Sequence, residues 1–174
     1  ALKAALVLNC DIVKEMHFDR KNYFYPDLPK GYQITQANTP IGTNGLLLLG
    51  DERIQIERVH IEEDTAKSIH DQDKTYLDYN RAGVPLIEIV TAPVIKNSEI
   101  AMMYLEKLRE TLFFLGISDV KMEEGSMRCD VNISLSDNDE LGTKVEIKNM
   151  GSIKSVGLAI EHEIKRQLKM IENG

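Results

Sequence analysis

The 174-residue sequence has no tryptophan, two cysteines, four histidines and 6% aromatic residues. Cys10 and Cys129 stand alone, without a CxxC pair. They read as reduced structural thiols of a cytosolic protein rather than a disulfide or a zinc site. His17, His60, His70 and His162 show no HExxH spacing, which removes the clearest zinc signature. Apolar runs are short, Leu46 to Leu49 among them, so no membrane-spanning helix is expected. No GxGxxG and no GxxxxGK[ST] occurs, which excludes a dinucleotide fingerprint and a P-loop. Positive charge is not in excess either: 21 basic face 28 acidic residues, a net charge of −7. A general binder of phosphate backbone is expected to be basic. Contact with a nucleic acid would therefore be local, metal-bridged or made by parts outside this segment.

What is present is ordinary for a globular domain: 43% apolar and 28% charged residues. No repeat, low-complexity tract or Pro/Ser linker divides the chain, so residues 1–174 are taken as one domain. Its opening ALKAALVLNC resembles the interior of a helix more than a signal peptide, and the chain reads as a segment of something larger.

Residues 1–13 follow a helical pattern. Residues 18–36, FDRKNYFYPDLPKGYQITQ, are aromatic, cationic and turn-rich, with Pro26, Pro29 and Gly31 forcing irregular backbone. Gly42, Asn44 and Gly45 supply turn chemistry before a hairpin-like region. In RIQIERVHIEED, Ile54 and Ile56 share one parity while Val59 and Ile61 take the other. That phase change predicts a bulge near Glu57 and Arg58. NRAGVPLIEIVTAP, with apolar residues of both parities, reads as a strand covered on both faces. Ala101, Leu105, Leu108, Leu112 and Leu115 recur at helical spacing, with Ser98 as N-cap and Gly116 as stop. Val131, Ile133 and Leu135 alternate as a strand, 136–142 is a turn, and Val145 and Ile147 mark the returning strand. Ser152 caps a last helix carrying Val156, Ile160, Ile164 and Leu168 on one face. The order predicts an α+β fold with a largely antiparallel sheet and packed helices.

Glu63, Glu88, Asp130 and Glu146 sit on predicted strands, with Glu123 and Glu124 nearby. An ionised carboxylate in an apolar setting is costly unless paired or bound to a metal. Hard oxygen donors converging on one sheet face would suit Mg2+ or Mn2+. Each acid also has a plainer reading, as a solvated strand end, a turn residue or a salt-bridge partner. Arg20, Lys21, Lys30, Arg128 and Lys148 lie beside these motifs and could neutralise phosphate charge. Tyr23, Phe24, Tyr25 and Tyr32 could stack a base, or plug a core. His60 and His70 read as ordinary polar residues.

The strings FDRKNYFYPDLPKGYQITQ, RVHIEEDTAKSIH, DYNRAGVPLIEIV, KMEEGSMRCDVNISL and GTKVEIKN resemble, in order and over essentially the whole chain, the B subunits (GatB) of aspartyl/glutamyl-tRNA amidotransferases. The resemblance implies a cradle-shaped catalytic domain similar in fold to glutamine synthetase and guanidino kinases. It implies use of ATP and Mg2+, with Mn2+ as an alternative, to phosphorylate the side-chain carboxylate of Glu-tRNA(Gln) or Asp-tRNA(Asn). Ammonia released from glutamine by the amidase (A) subunit then displaces phosphate, and a small C subunit clamps the amidase to its B partner. A cytoplasmic bacterial setting is implied, organellar if eukaryotic, with no membrane partner.

By the same resemblance Glu63 matches a metal ligand near the ammonia exit, and Lys21 and Tyr23 match residues at the channel mouth. Glu88, Asp130, Glu146 and Glu124 are candidate metal acids. Arg20, Lys30, Arg128 and Lys148 are candidates for contact with ATP or the substrate carboxylate. The family's first strand, with a GLExH motif, and its tRNA-recognising C-terminal regions have no counterpart in these residues, and TAPV at 91–94 replaces the usual SEPD. An incomplete metal site and weak tRNA affinity are expected of the segment. Two other readings remain: a glutamine-synthetase-like ligase acting on a small free acid, and a divalent-metal-binding scaffold on which other subunits dock.

Overall fold

The computed structural model describes residues 1–138 and 140–173. It is α+β, its strands all paired antiparallel among the described residues, and it divides into two compact units, Ala1–Pro93 and Val94–Gly174.

The first unit is built on a four-stranded sheet in the order β1-β4-β5-β8. These strands are β1 (Asp11–Ile12), β4 (Gly42–Leu49), β5 (Glu52–Glu63) and β8 (Pro85–Thr91). Two hairpins accompany it: β2 (Asp19–Asn22) with β3 (Tyr32–Thr35), and β6 (Lys67–Asp71) with β7 (Lys74–Asp78). Helix α1 (Leu2–Val7) is shorter than the pattern over 1–13 predicts. Asn9, at φ 53°, turns the chain out of the helix, and asparagine tolerates that left-handed geometry. Ala4, Ala5 and Leu8 are fully buried.

Gly42 and Gly45 lie inside β4 rather than in a turn, contrary to the sequence reading. A Cβ on Gly42 would stand 2.9 Å from the Ala5 Cβ. One on Gly45 would stand 2.7 Å from the Leu8 carbonyl oxygen. The missing side chains let α1 lie close to the sheet, and Leu46 N–H donates to that same Leu8 oxygen at 2.7 Å. The chain reverses at Gly50, φ 60°, into β5.

The predicted bulge is present. Ile56 pairs with Thr91 and Arg58 with Val90, so Glu57 is the extra residue. Ile54 and Ile56 are buried before it and Val59 and His60 after it. Past the bulge the apolar core position passes to the opposite parity at Val59, while His60, on the other face of β5, is buried as well. β8 departs from its prediction. It is the last strand of the sheet, and its residues are half-buried or exposed instead of covered on both faces.

In the second unit α2 (Ser98–Phe114) carries the predicted stripe, with Ala101, Leu105, Leu108 and Leu112 buried. Its cap is Asn97 rather than Ser98: the Asn97 Oδ1 accepts from Ile100 N–H at 2.9 Å. Gly116, at φ 62°, ends it. β9 (Val131–Ile133) pairs with β10 (Val145–Ile147), Glu146 facing Asn132. Of the turn predicted over 136–142, Asp139 lies outside the described residues.

Ser152 caps α3 (Ile153–Asn173), its Oγ accepting from Ser155 N–H at 3.0 Å. The buried face of α3 is Ile153, Val156, Gly157, Ile160, Glu163 and Gln167. Leu168, expected in the stripe, is exposed, and two polar residues take the inner positions. Gln167 explains the exchange. Its Oε1 accepts from Leu135 N–H at 3.0 Å, and its Nε2 donates to the Ile133 carbonyl at 3.2 Å. The amide thus completes the backbone pairing of the β9 end. No helix among the described residues is long and apolar enough to cross a membrane.

Candidate functional site

The bulge at Glu57 sets the site. Beyond it, His60 and Glu62 fall two residues apart on one parity of β5, and His60 is the register partner of Glu88 on β8. The three side chains meet. His60 Nε2 lies 3.1 Å from Glu62 Oε1 and 3.3 Å from Glu88 Oε2. One ligand atom from each residue lies within 4.8 Å of the other two. The imidazole is 5% exposed, the Glu62 side chain 11% and that of Glu88 48%, so the trio runs from interior to surface.

Glu62 is held further from β3. Thr35 Oγ1 donates to its Oε1 at 2.8 Å and Gln33 Nε2 to its Oε2 at 3.3 Å. Burial works against the Glu62 charge, but the His60 and Thr35 hydrogen bonds and the charges of His60 and Lys21 outweigh it and hold the carboxyl below its usual range. Burial likewise works against a charged His60. The hydrogen bonds and charges of Glu62 and Glu88 prevail, and the ring is pushed up to about 9. Its Nδ1 is buried without a hydrogen-bond partner among the described residues.

Glu63 points to a different set of partners. Lys30 forms an ion pair with its Oε1, and Ile34 N–H donates to the same oxygen at 2.9 Å. Burial raises the Glu63 carboxyl, yet the Lys30 and Ile34 hydrogen bonds lower it below the ordinary value. Lys30 Nζ and the Arg20 guanidinium also lie over the Tyr32 ring, at 4.8 and 4.5 Å from its centre. Lys21, exposed on β2, pairs in register with Gln33. Tyr23 follows β2, its N–H donating to the Gly31 carbonyl at 3.1 Å. Burial, then the charges of Asp27, Glu62, Asp64 and Glu63, pushes its phenol up. Residues 19–22 and 32–35 are thus a hairpin rather than irregular backbone, and Pro26, Pro29 and Gly31 occupy its loop. The loop and Tyr79 line a groove of about 530 Å³.

The remaining candidates belong to the second unit. Glu124 pairs with Lys121 at 2.8 Å on the turn after α2. Asp130 and Glu146, both about half exposed, each lie 3.4 Å from Lys148 Nζ. The Asp130 charge, with smaller help from Glu146, raises the Lys148 ammonium above its ordinary value. Arg128 is exposed beside Cys129, whose thiol burial and Asp130 push up to about 11, an unreactive state. Glu63 and Glu88 therefore lie on the four-stranded sheet, whereas Asp130 and Glu146 lie at a separate two-stranded ladder. The expectation of one continuous sheet carrying all four acids is not met.

Of the sequence candidates, the structure brings Glu88 into the trio and places Glu63 beside Lys30. His60 and Glu62 were the residues missed. The available signal was HxE at strand spacing, just past a phase change and opposite a glutamate in an apolar strand. The donor set fits a divalent ion. Two carboxylates provide hard oxygens suited to Mg2+ or Mn2+.

An antiparallel α+β domain with a carboxylate–imidazole cluster on its sheet is the class that fold and site define. A family profile described as the GatB/GatE catalytic domain matches residues 1–174, and the chain belongs to that family. It is 56% identical over 98% of its length to the B subunit of the aspartyl/glutamyl-tRNA(Asn/Gln) amidotransferase of Mycoplasma capricolum, covering 37% of that protein. It is 54% identical to the protein of the same name from Clostridium kluyveri and 52% to that from Persephonella marina. In both comparisons the whole chain aligns, with 38% of the relative. The chain thus spans well under half the length of these curated relatives.

Proposed function

We propose that this chain is the catalytic cradle segment of the B subunit of a tRNA-dependent amidotransferase, and that the whole protein activates a tRNA-bound carboxylate with ATP. A fold like that of glutamine synthetase and guanidino kinases is part of the proposal, as is residence in the bacterial cytoplasm. The observation that carries the reading is the His60–Glu62–Glu88 trio on a chain of this family.

In the proposed reaction, a side-chain carboxylate oxygen of Glu-tRNA(Gln) or Asp-tRNA(Asn) attacks the γ-phosphorus of ATP. The bond to ADP breaks and an acyl phosphate forms. Ammonia, delivered from glutamine by the amidase partner that the small C subunit clamps in place, attacks the acyl carbon. Phosphate leaves with the bonding pair, and the nitrogen gives up a proton. The activation is needed because a bare carboxylate has no adequate leaving group.

Glu62 and Glu88 are assigned to hold a divalent ion, Mg2+ or Mn2+, which when bound screens the repulsion between phosphate and carboxylate oxygens. Glu63 remains a candidate metal acid and, with Lys21 and Tyr23, is assigned to the ammonia route. Its ionised state beside Lys30 suits a group that meets ammonia or ammonium. Arg20, Lys30, Arg128 and Lys148 are assigned to phosphate or carboxylate contact, and Glu124, Asp130 and Glu146 to further metal binding.

The test is ATP hydrolysis by the full-length protein with its partner subunits, supplied with Glu-tRNA(Gln) or with free glutamate. Hydrolysis that needs the aminoacyl-tRNA, and that falls about 10²-fold or more in Glu88→Gln, supports the reading. Turnover on free glutamate alone would favour a small-molecule ligase. Metal binding with unaltered turnover in Glu63→Ala and Glu88→Ala would leave a scaffold.

A further inference from the structure

We infer that His60 is a positioning residue of the ion seat and not one of its ligands: its Nε2–H ties Glu62 and Glu88 together at the spacing a divalent ion requires. The inference rests on the assignment of those two carboxylates to the ion.

Three observations carry it. First, both carboxylates converge on a single ring atom, Nε2, at 3.1 and 3.3 Å. These are donor distances, and a carboxylate can only accept. Second, a histidine that gives its Nε2 lone pair to a metal must carry its proton on Nδ1. Such histidines are ordinarily steered by an acceptor at that second nitrogen. Here Nδ1 is buried and has no partner among the described residues. A proton on Nε2 meets two acceptors, whereas a proton confined to Nδ1 meets none.

Third, the two glutamates are held unequally. Glu62 also takes hydrogen bonds from Thr35 and Gln33. Glu88 stands half exposed on β8, and the buried His60 ring reaches it from its register position on β5. His60 is thus the link through which the fixed carboxylate sets the place of the freer one. With an ion present, Nε2–H can still donate to carboxylate lone pairs that the ion leaves unused, since each oxygen has two.

The test uses Mn2+ as probe on the full-length protein. Electron spin-echo modulation of the native Mn2+ complex is expected to lack the 14N coupling of a bound imidazole. His60→Ala should weaken Mn2+ binding about 10-fold or more, the usual effect of removing an orienting partner. His60→Gln, which keeps an N–H donor, should recover part of it. A merely structural histidine would lower the melting temperature and leave Mn2+ affinity in place. Imidazole 14N coupling, or unchanged affinity in a folded His60→Ala variant, overturns the inference. If His60→Ala fails to fold, the spectrum of the native protein decides alone. No Mn2+ binding by the native protein overturns the ion seat itself, and the inference with it.

Discussion

His60 and Glu88 face each other as register partners on neighbouring strands, with Nε2 and Oε2 3.3 Å apart. The pairing joins a buried ring to an exposed carboxylate, so ligand binding at the surface is coupled to the sheet interior. A divalent ion that binds the folded state alone must then raise stability by mass action, by about 2.7 kcal/mol at a hundredfold excess over Kd. Calorimetry of the full-length protein in millimolar Mn2+ or Mg2+ should show a higher Tm, and Glu88→Gln should abolish most of the shift. An equal shift in the variant would place the ion elsewhere.

Much of this site was legible in the sequence, and the rest failed for definable reasons. The phase change between Ile56 and Val59 announced the bulge because both sides of β5 carry apolar residues that must reach the core. Glu88 stood out because apolar neighbours flank it. His60 did not, because a single histidine carries no spacing signal until the register of two strands is known. The β2–β3 ladder was hidden for another reason. Asp19, Arg20, Lys21 and Asn22 are polar throughout and largely exposed, so no alternation marks them as a strand. In α3 the helix period was right and the face was turned. Gln167 satisfies two backbone groups of the second unit, a demand invisible in an amphipathic pattern.

Glu63 owes its low carboxyl range to two donors, the Lys30 ammonium and the Ile34 N–H. Lys30→Met removes one. The Glu63 carboxyl should then rise, while the backbone donor still opposes the effect of burial. A 13C NMR titration of the glutamate carboxyls reads this directly. An unmoved Glu63 resonance would show that the Lys30 contact contributes nothing in solution.

Gly45 tests how tightly α1 sits on the sheet. Its added Cβ would meet Cys10 Sγ at 2.6 Å and the Leu8 carbonyl oxygen at 2.7 Å. Gly45→Ala should cost about 1–3 kcal/mol in denaturant unfolding, as overpacked cores do. Cys10→Ala in the same chain should return only part of that loss, because the backbone oxygen remains. Full recovery would mean that the sulfur alone sets the distance.

Glu163 makes the acid limb of stability predictable. The Arg166 guanidinium, then the Gln167 amide, holds its carboxyl down to about 2, against an ordinary value of 4.5. A depressed carboxyl stabilises the fold above its unfolded value. That contribution is lost as pH falls from about 4.5 through about 2, where the native form also takes up the proton. Glu163→Gln has no such proton to bind, so its stability should change less with pH across this window. The amide of Gln167 would meanwhile keep both backbone contacts to Ile133 and Leu135. Gln167→Leu removes the smaller of the two donors to Glu163, so it should keep most of the acid sensitivity that Arg166 sets while losing the backbone clamp. It leaves those groups unpaired, costs about 1–3 kcal/mol at neutral pH, and speeds exchange of the Leu135 amide. Acid sensitivity and backbone protection should therefore separate between the two variants. If they moved together, Glu163 and Gln167 would be acting as one packing unit rather than as a charge and a clamp.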